Sequence, residues 1–199
     1  MTMRLQEIHP ALVHMPIALL PTSLGADALG LLTGSRSLLE MGRRTMPLAA
    51  ASALVAGIFG FIAQETVRAE GEAHDQLVTH RNLNVSLVAL TALMARSRTR
   101  RRRPSMGYLA VGLAGLGTMS YSAYLGGKMV YEHGVGVEAA GGVRTDLAPE
   151  VRPDNLDEVT DLAVRHLGRG VSHTVEHLAR GGPVVPTLTR AAPPENALP

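Results

Sequence analysis

The sequence predicts an all-α polytopic membrane protein: a four-transmembrane-helix bundle followed by an extramembrane C-terminal tail. Three observations carry this. Residues 1–137 hold four apolar runs, each near the roughly 20 residues that a helix needs to cross a bilayer. Hydrophobic residues make up 46% of the 199-residue chain and charged residues only 18%. The links between the runs alternate basic, acidic, basic, as the loops of a multi-pass protein do.

The first span is predicted at residues 11–32, interrupted by His14, Pro16, Pro21 and Asp27. The second covers 46–67, with no charge before Glu65. The third covers 77–95 and carries His80 and Arg81 in its first turns. The fourth, 106–125, has no charge at all. Helices of a soluble bundle keep a polar stripe, and the second and fourth runs have none. Ala26-Asp27-Ala28 resembles a cleavage site after an apolar stretch. However, residues 1–10 carry only Arg4 and Glu7, and two prolines interrupt the apolar core, so the first run is read as a retained span rather than a signal peptide.

Orientation follows from the links. Loop 33–45 carries Arg36, Arg43 and Arg44 against Glu40, and loop 96–105 carries six arginines. Between the second and third runs lie Glu65, Glu70, Glu72 and Asp75 against Arg68. The positive-inside rule places both arginine loops in the cytoplasm and both termini outside. A nucleic-acid patch is the other reading of the arginine run, but its position between two spans favours topology. Asp27 falls near the cytoplasmic end and is expected to pair with Arg43 or Arg44 or to be hydrated. Ala49, Ala53 and Gly57 recur every four residues, and Gly112, Gly115 and Gly117 thin the fourth run. Such small faces let membrane helices approach closely. Asp75 is placed to cap the third helix and Pro104 to open the fourth. The fourth ends at Gly134, or earlier at Gly126-Gly127.

The tail, residues 138–199, has a net charge of −3 against +5 for residues 1–137. An amphipathic helix is expected over about 154–180, with Leu156, Val159, Ala163, Leu167, Val171, Val175 and Leu178 at helical spacing. Residues 183–199, with five prolines, are expected to be disordered.

The chain has no cysteine, which excludes disulfides, thiolate metal sites and cysteine nucleophiles. It has no nucleotide-binding glycine loop, metalloprotease motif or serine-nucleophile elbow. Its chemistry falls to eight histidines, none of them in an arginine loop. His9 and His14 lie at the start of the first span, and His74 and His80 at the start of the third. His133 follows the fourth, and His166, His173 and His177 lie in the tail. His14 and His80 sit a few residues inside their spans at similar depth. Ionisable groups there usually face the bundle interior and have a function. Two imidazoles from two helices can sandwich one haem iron, and imidazole also serves zinc or copper. Interfacial histidines that only form hydrogen bonds are the alternative. His9 precedes Pro10 and suits a helix start. His173 and His177 are four apart and share a face, a spacing open to a metal but more often to solvent.

Three stretches carry a family resemblance. They are His9-Pro10-Ala11-Leu12-Val13-His14-Met15-Pro16-Ile17-Ala18-Leu19-Leu20, then His80-Arg81-Asn82-Leu83-Asn84, then Tyr124-Leu125-Gly126-Gly127-Lys128-Met129-Val130-Tyr131-Glu132-His133-Gly134-Val135-Gly136-Val137. Over about residues 5–137 the chain resembles the bacterial membrane-protein family named domain of unknown function 2231. The resemblance implies four spans in a bacterial inner membrane. Some members are joined to Rieske or cytochrome-type domains, which implies an electron-transfer setting. It points to His14, His80 and His133, with His9 behind them.

The expected function is therefore b-type haem binding and electron transfer at the extracytoplasmic face. His14 and His80 are the expected axial ligands, and His133 a substitute. The redox partner would be an outer protein such as a cytochrome or Rieske protein. A bis-histidine iron has no open position, so a carrier is expected rather than an enzyme. The alternatives are zinc or copper on the same histidines, or a structural or assembly subunit without a cofactor.

Overall fold

A computed structural model describes residues 3–189. The chain is mostly helical. A two-residue strand β1 (Met3–Arg4) leads through one 3-10 turn into α1 (Ile8–Leu12) and α2 (His14–Thr33). Then come α3 (Arg36–Gln64), α4 (Gly71–Arg100) and α5 (Met106–Tyr131). The tail holds β2 (Glu150–Val151), α6 (Leu156–Ala179) and α7 (Pro186–Thr189).

Local chemistry sets the boundaries. Pro16 lacks the N–H that would bond back to Leu12, so the helical ladder is interrupted at Val13 and restarts as α2. Gly34, at φ 69°, ends α2 in the left-handed cap conformation. Ser35 then caps α3 by accepting the Leu38 N–H at 3.4 Å. Ser105 caps α5 the same way, accepting the Tyr108 N–H at 3.1 Å. α4 starts at Gly71, with Glu70 rather than Asp75 in the cap position. The helix is longer than the predicted span at both ends because polar turns extend it beyond the apolar run. α5 runs through Gly126-Gly127 without a break and ends at Tyr131.

α2, α3, α4 and α5 form an antiparallel ring, each packed on the next and α5 closing on α2. Small residues bring the helices close. A Cβ on Gly30 would meet the Leu39 backbone at 2.9 Å, and one on Gly112 would run into Leu24 and Met94. Leu20, Leu24, Met46, Ala49, Met94 and Tyr108 form the central core. Ala49 is fully buried, as its small-residue spacing predicts, whereas Gly117 faces open space.

Leu5–Thr33 and Arg36–Gln64 are long and apolar enough to cross a membrane. Only about a third or less of those windows is buried inside the protein, at 33% and 28%. Leu29, Leu32, Leu48, Leu54, Leu93 and Leu113 all project outward. A soluble core helix would bury such residues, and so many outward leucines mark a surface made for an apolar solvent. The third and fourth expected spans fall within α4 and α5, but among the described residues only Leu5–Thr33 and Arg36–Gln64 are both long and apolar enough to cross a membrane.

The tail returns to the bundle at the end opposite the arginine loops. β2 pairs antiparallel with β1, matching Met3 to Val151 and Arg4 to Glu150. Arg4 also binds Glu138 at 2.8 Å and the Ala148 carbonyl at 3.0 Å. α6 occupies nearly the expected stretch and packs Val159, Ala163 and Leu167 on Leu5, Ile58, Phe59 and Ile62. Within the stretch expected to be disordered, α7 docks on α4 and α5. Asn82 Nδ2 donates to the Val184 carbonyl at 2.9 Å, and the Thr187 hydroxyl lies 3.2 Å from both the Thr79 and Tyr121 hydroxyls. The rest of the expected disordered end, residues 190–199, lies outside the described residues.

Candidate functional site: a pair of anchored imidazoles

The antiparallel register of α2 on α3 sets which histidine faces inward. Asp27 lies opposite Gly42 and Gly30 opposite Leu39. Continued along the same direction, that register brings His9 beside Ala56 and Gly60. The His9 Nδ1 lies 2.9 Å from the Ala56 carbonyl oxygen. Across the bundle, α4 presents His80 to α5, with Nδ1 2.8 Å from the Ser122 carbonyl oxygen. His9 and His80 then face each other edge to face, with ring centres 6.3 Å apart and planes at 86°.

The same local device holds both rings. A carbonyl oxygen only accepts, so each Nδ1 carries the proton and donates it. Each accepting residue is followed four positions later by glycine: Ala56 by Gly60, Ser122 by Gly126. A Cβ on Gly60 would sit 3.2 Å from His9 Cε1, and one on Gly126 3.3 Å from His80 Cε1. Both contacts are tighter than an ordinary van der Waals approach. The missing side chain is what lets each imidazole lie on the helix surface and reach a carbonyl that already serves its own helix. With Nδ1 committed, Nε2 is left with its lone pair. Neither Nε2 has a protein partner among the described residues. A ring nitrogen oriented through Nδ1–H to a carbonyl, with Nε2 unprotonated, is the arrangement in which histidine binds metals.

A second ring of contacts supports His80. Its Nδ1 is also 3.1 Å from the Ser122 hydroxyl, which accepts from Asn84 Nδ2 at 2.9 Å. The Asn84 amide also donates to the His80 carbonyl at 2.9 Å. Both imidazoles are partly buried. His80 lies nine residues into α4, about 14 Å along the helix axis at 1.5 Å per residue.

The other predicted residues are dispersed. His14 is exposed, and its Nδ1 lies 3.3 Å from the Ala11 carbonyl of its own turn. It is His9, not His14, that stands beside His80. His133 is exposed beyond the end of α5, 3.4 Å from Gln76 Nε2. His173 faces Glu65 at 3.1 Å, and the His177 Nε2 lies 3.1 Å from the Pro183 carbonyl, so the two have separate partners. His166 is fully buried against the Leu147 carbonyl at 3.0 Å. Among the described residues no group of three or more His, Asp or Glu side chains is placed to hold a metal ion.

The arginine end holds a different polar cluster. Asp27 pairs with Arg98 and not with Arg43 or Arg44, which bind Glu40 at 2.9 and 2.7 Å. Arg98 grips the Asp27 carboxylate with Nε at 2.8 Å and Nη2 at 2.7 Å. It also donates to the Leu39 and Arg101 carbonyls, each at 2.6 Å. Both side chains are completely buried. α4 continues to Arg100, which carries Arg98 onto the buried face of Leu87, Thr91, Met94 and Ala95 instead of into a solvated loop.

A ring of long helices with outward leucines defines a helical membrane protein. The chain belongs to the family described as predicted membrane protein (DUF2231), whose model matches residues 6–139. That match takes in the bundle and the histidine pair and stops as the tail begins. No curated protein and no solved structure matches the chain.

Proposed function

We propose that this is a four-span inner-membrane protein that binds b-type haem between His9 and His80, near the extracytoplasmic face, and carries electrons for an outer partner. The paired, Nδ1-anchored imidazoles carry the reading. The two rings lie close enough, with centres 6.3 Å apart, to belong to one site, and His9 Nε2 and His80 Nε2 are the atoms that would hold the iron. A haem brings four nitrogens of its own and would need two from the protein, which His9 and His80 would supply. The same two supply only half of a tetrahedral zinc site. The donor count therefore favours haem over zinc.

When bound, haem supplies a one-electron couple. The protein's share is to hold two Nε2 atoms in place, fix their tautomer through the Ala56 and Ser122 carbonyls, and wrap the site in an apolar bundle. Axial ligand identity and the hydrogen bonds behind the ligands tune such a couple. The arginine-rich turns support a cytoplasmic placement of the 33–45 and 96–105 loops, with both termini on the other side.

The test is an absorption spectrum of the full chain, expressed with added haem precursor and purified in mild detergent, before and after dithionite. The expected result is a Soret band, sharp reduced α and β bands, and about one haem per chain by pyridine extraction. A flat spectrum that stays flat after reconstitution with haem overturns the reading. Metal analysis of the same sample then shows whether copper or zinc stands in its place.

A further inference from the structure

The long tail helix carries an apolar stripe that the bundle does not use. α6 buries Val159, His166, Gly170 and Thr174. At about 100° per residue these four point within roughly 80° of one another, toward α3. Val164, Val171, Val175 and Leu178 are all exposed. They cluster about 100° further round the helix. On the opposite flank lie Asp161, Arg165, Arg169, Ser172, Glu176 and Arg180, also exposed. From residue 161 onward α6 thus has three sides: one against α3, one apolar and open, one charged and open.

Its placement says what covers the open apolar side. Val159 packs on Ile62 of α3. Gly170, eleven residues on, sits against the Phe61 carbonyl at 2.6 Å from a built Cβ. About 16 Å of α6 therefore meets one short stretch of α3, so the two helices cross steeply. A helix that crosses the end of a spanning helix steeply lies along the membrane plane. The α3 face beneath the crossing continues from Ile62 and Ile58 through Val55, Ala51 and Leu48 at helical spacing. Those last three are exposed apolar residues. α6 thus rests on the rim of a lipid-facing surface. Its two free flanks look along the bilayer normal in opposite directions, one apolar and one charged.

We propose that α6 is an interfacial helix. It lies in the headgroup layer of the leaflet on the termini side, with Val164, Val171, Val175 and Leu178 dipped into the acyl chains of the bilayer that holds the bundle. Helices with a large moment and a charged outer face lie in the interface in this way. The occupant is lipid because the stripe is continuous with the exposed face of α3. The inference rests on α3 spanning the membrane, and it is independent of haem.

The chain has no cysteine, so each single-cysteine variant carries one labelling site. The full chain is reconstituted into palmitoyl-oleoyl phosphatidylcholine nanodiscs with a nitroxide at one position in turn. Val171→Cys and Val175→Cys probe the stripe, Arg165→Cys and Ser172→Cys the charged flank, and Leu54→Cys the middle of α3. Relaxation by oxygen, which concentrates in lipid, is compared with relaxation by a water-soluble nickel chelate. Oxygen is expected to dominate several-fold at 54, 171 and 175, and nickel at 165 and 172. Aqueous labels at 171 and 175, with 54 in lipid, overturn the interfacial helix. Labels there shielded from both agents also overturn it, because a protein surface then covers the stripe. An aqueous label at 54 instead breaks the membrane-spanning reading itself.

Discussion

The Asp27–Arg98 pair and the His9–His80 pair satisfy their hydrogen bonds to different degrees. At the arginine end, Asp27 and Arg98 are fully buried and their hydrogen bonds are answered by each other and by two carbonyls. At the other end, His9 and His80 are half-answered: one nitrogen of each ring is anchored and the other has no protein partner. Saturated networks hold helices in register and leave nothing over for a ligand. Half-saturated groups, preset in tautomer and orientation, are what a binding site needs. The first cluster ties α2, α3 and α4 together. The second is oriented by α3 and α5 and left open.

The largest loss of stability follows from breaking the saturated Asp27–Arg98 pair. Arg98→Leu strands the Asp27 carboxylate in an apolar core and is expected to cost about 3–5 kcal/mol. Denaturant titration in detergent micelles, followed by circular dichroism, measures it. Asp27→Leu together with Arg98→Leu removes both charges and should recover much of the loss. Equal losses in the single and double variants would mean that the pair is not the source.

The open end should respond in the reverse sense. His80→Ala and His9→Ala are each expected to abolish bound haem, read as pyridine-extractable haem per chain, while shifting the unfolding midpoint of the haem-free protein far less than Arg98→Leu does. Smaller effects are expected from Gly60→Ala and Gly126→Ala. Each adds a methyl about 3.2–3.3 Å from an imidazole carbon, so the ring must shift by a few tenths of an ångström. Haem affinity, measured by titration of the stripped protein, should fall several-fold rather than vanish. The smallest effect belongs to His14→Ala. His14 is exposed and bonded within its own turn, so haem content and unfolding midpoint should both match the parent.

Much of the architecture can be read from hydropathy alone. Long apolar runs separated by charged links are coarse signals, and burial against lipid does not depend on helix register. The choice between His9 and His14 does depend on it. The two are five residues apart, which is about 140° round a helix, so when one faces inward the other faces out. Only the register on α3 decides, and a single run of residues does not contain it. One local signal was available: the Ala56 and Gly60 notch, four residues apart, matches the Ser122 and Gly126 notch on α5. Arg98 was hidden for a different reason. In a run of arginines it reads as one more topology charge, yet it follows Thr91 and Met94 at helical spacing, and α4 is long enough to carry it inside. Asn84 and Ser122, which brace His80, carry no signal until the helices are packed.

The central claim is that one imidazole from α1 and one from α4 form a single open site. The most direct measurement compares reduced-minus-oxidised spectra of the parent, His9→Ala, His14→Ala and His80→Ala, all reconstituted with haem under the same conditions. The account predicts reduced α and β bands in the parent and in His14→Ala, and their loss in His9→Ala and His80→Ala. Bands that survive His9→Ala but vanish in His14→Ala would contradict it, as would a parent with no bands at all.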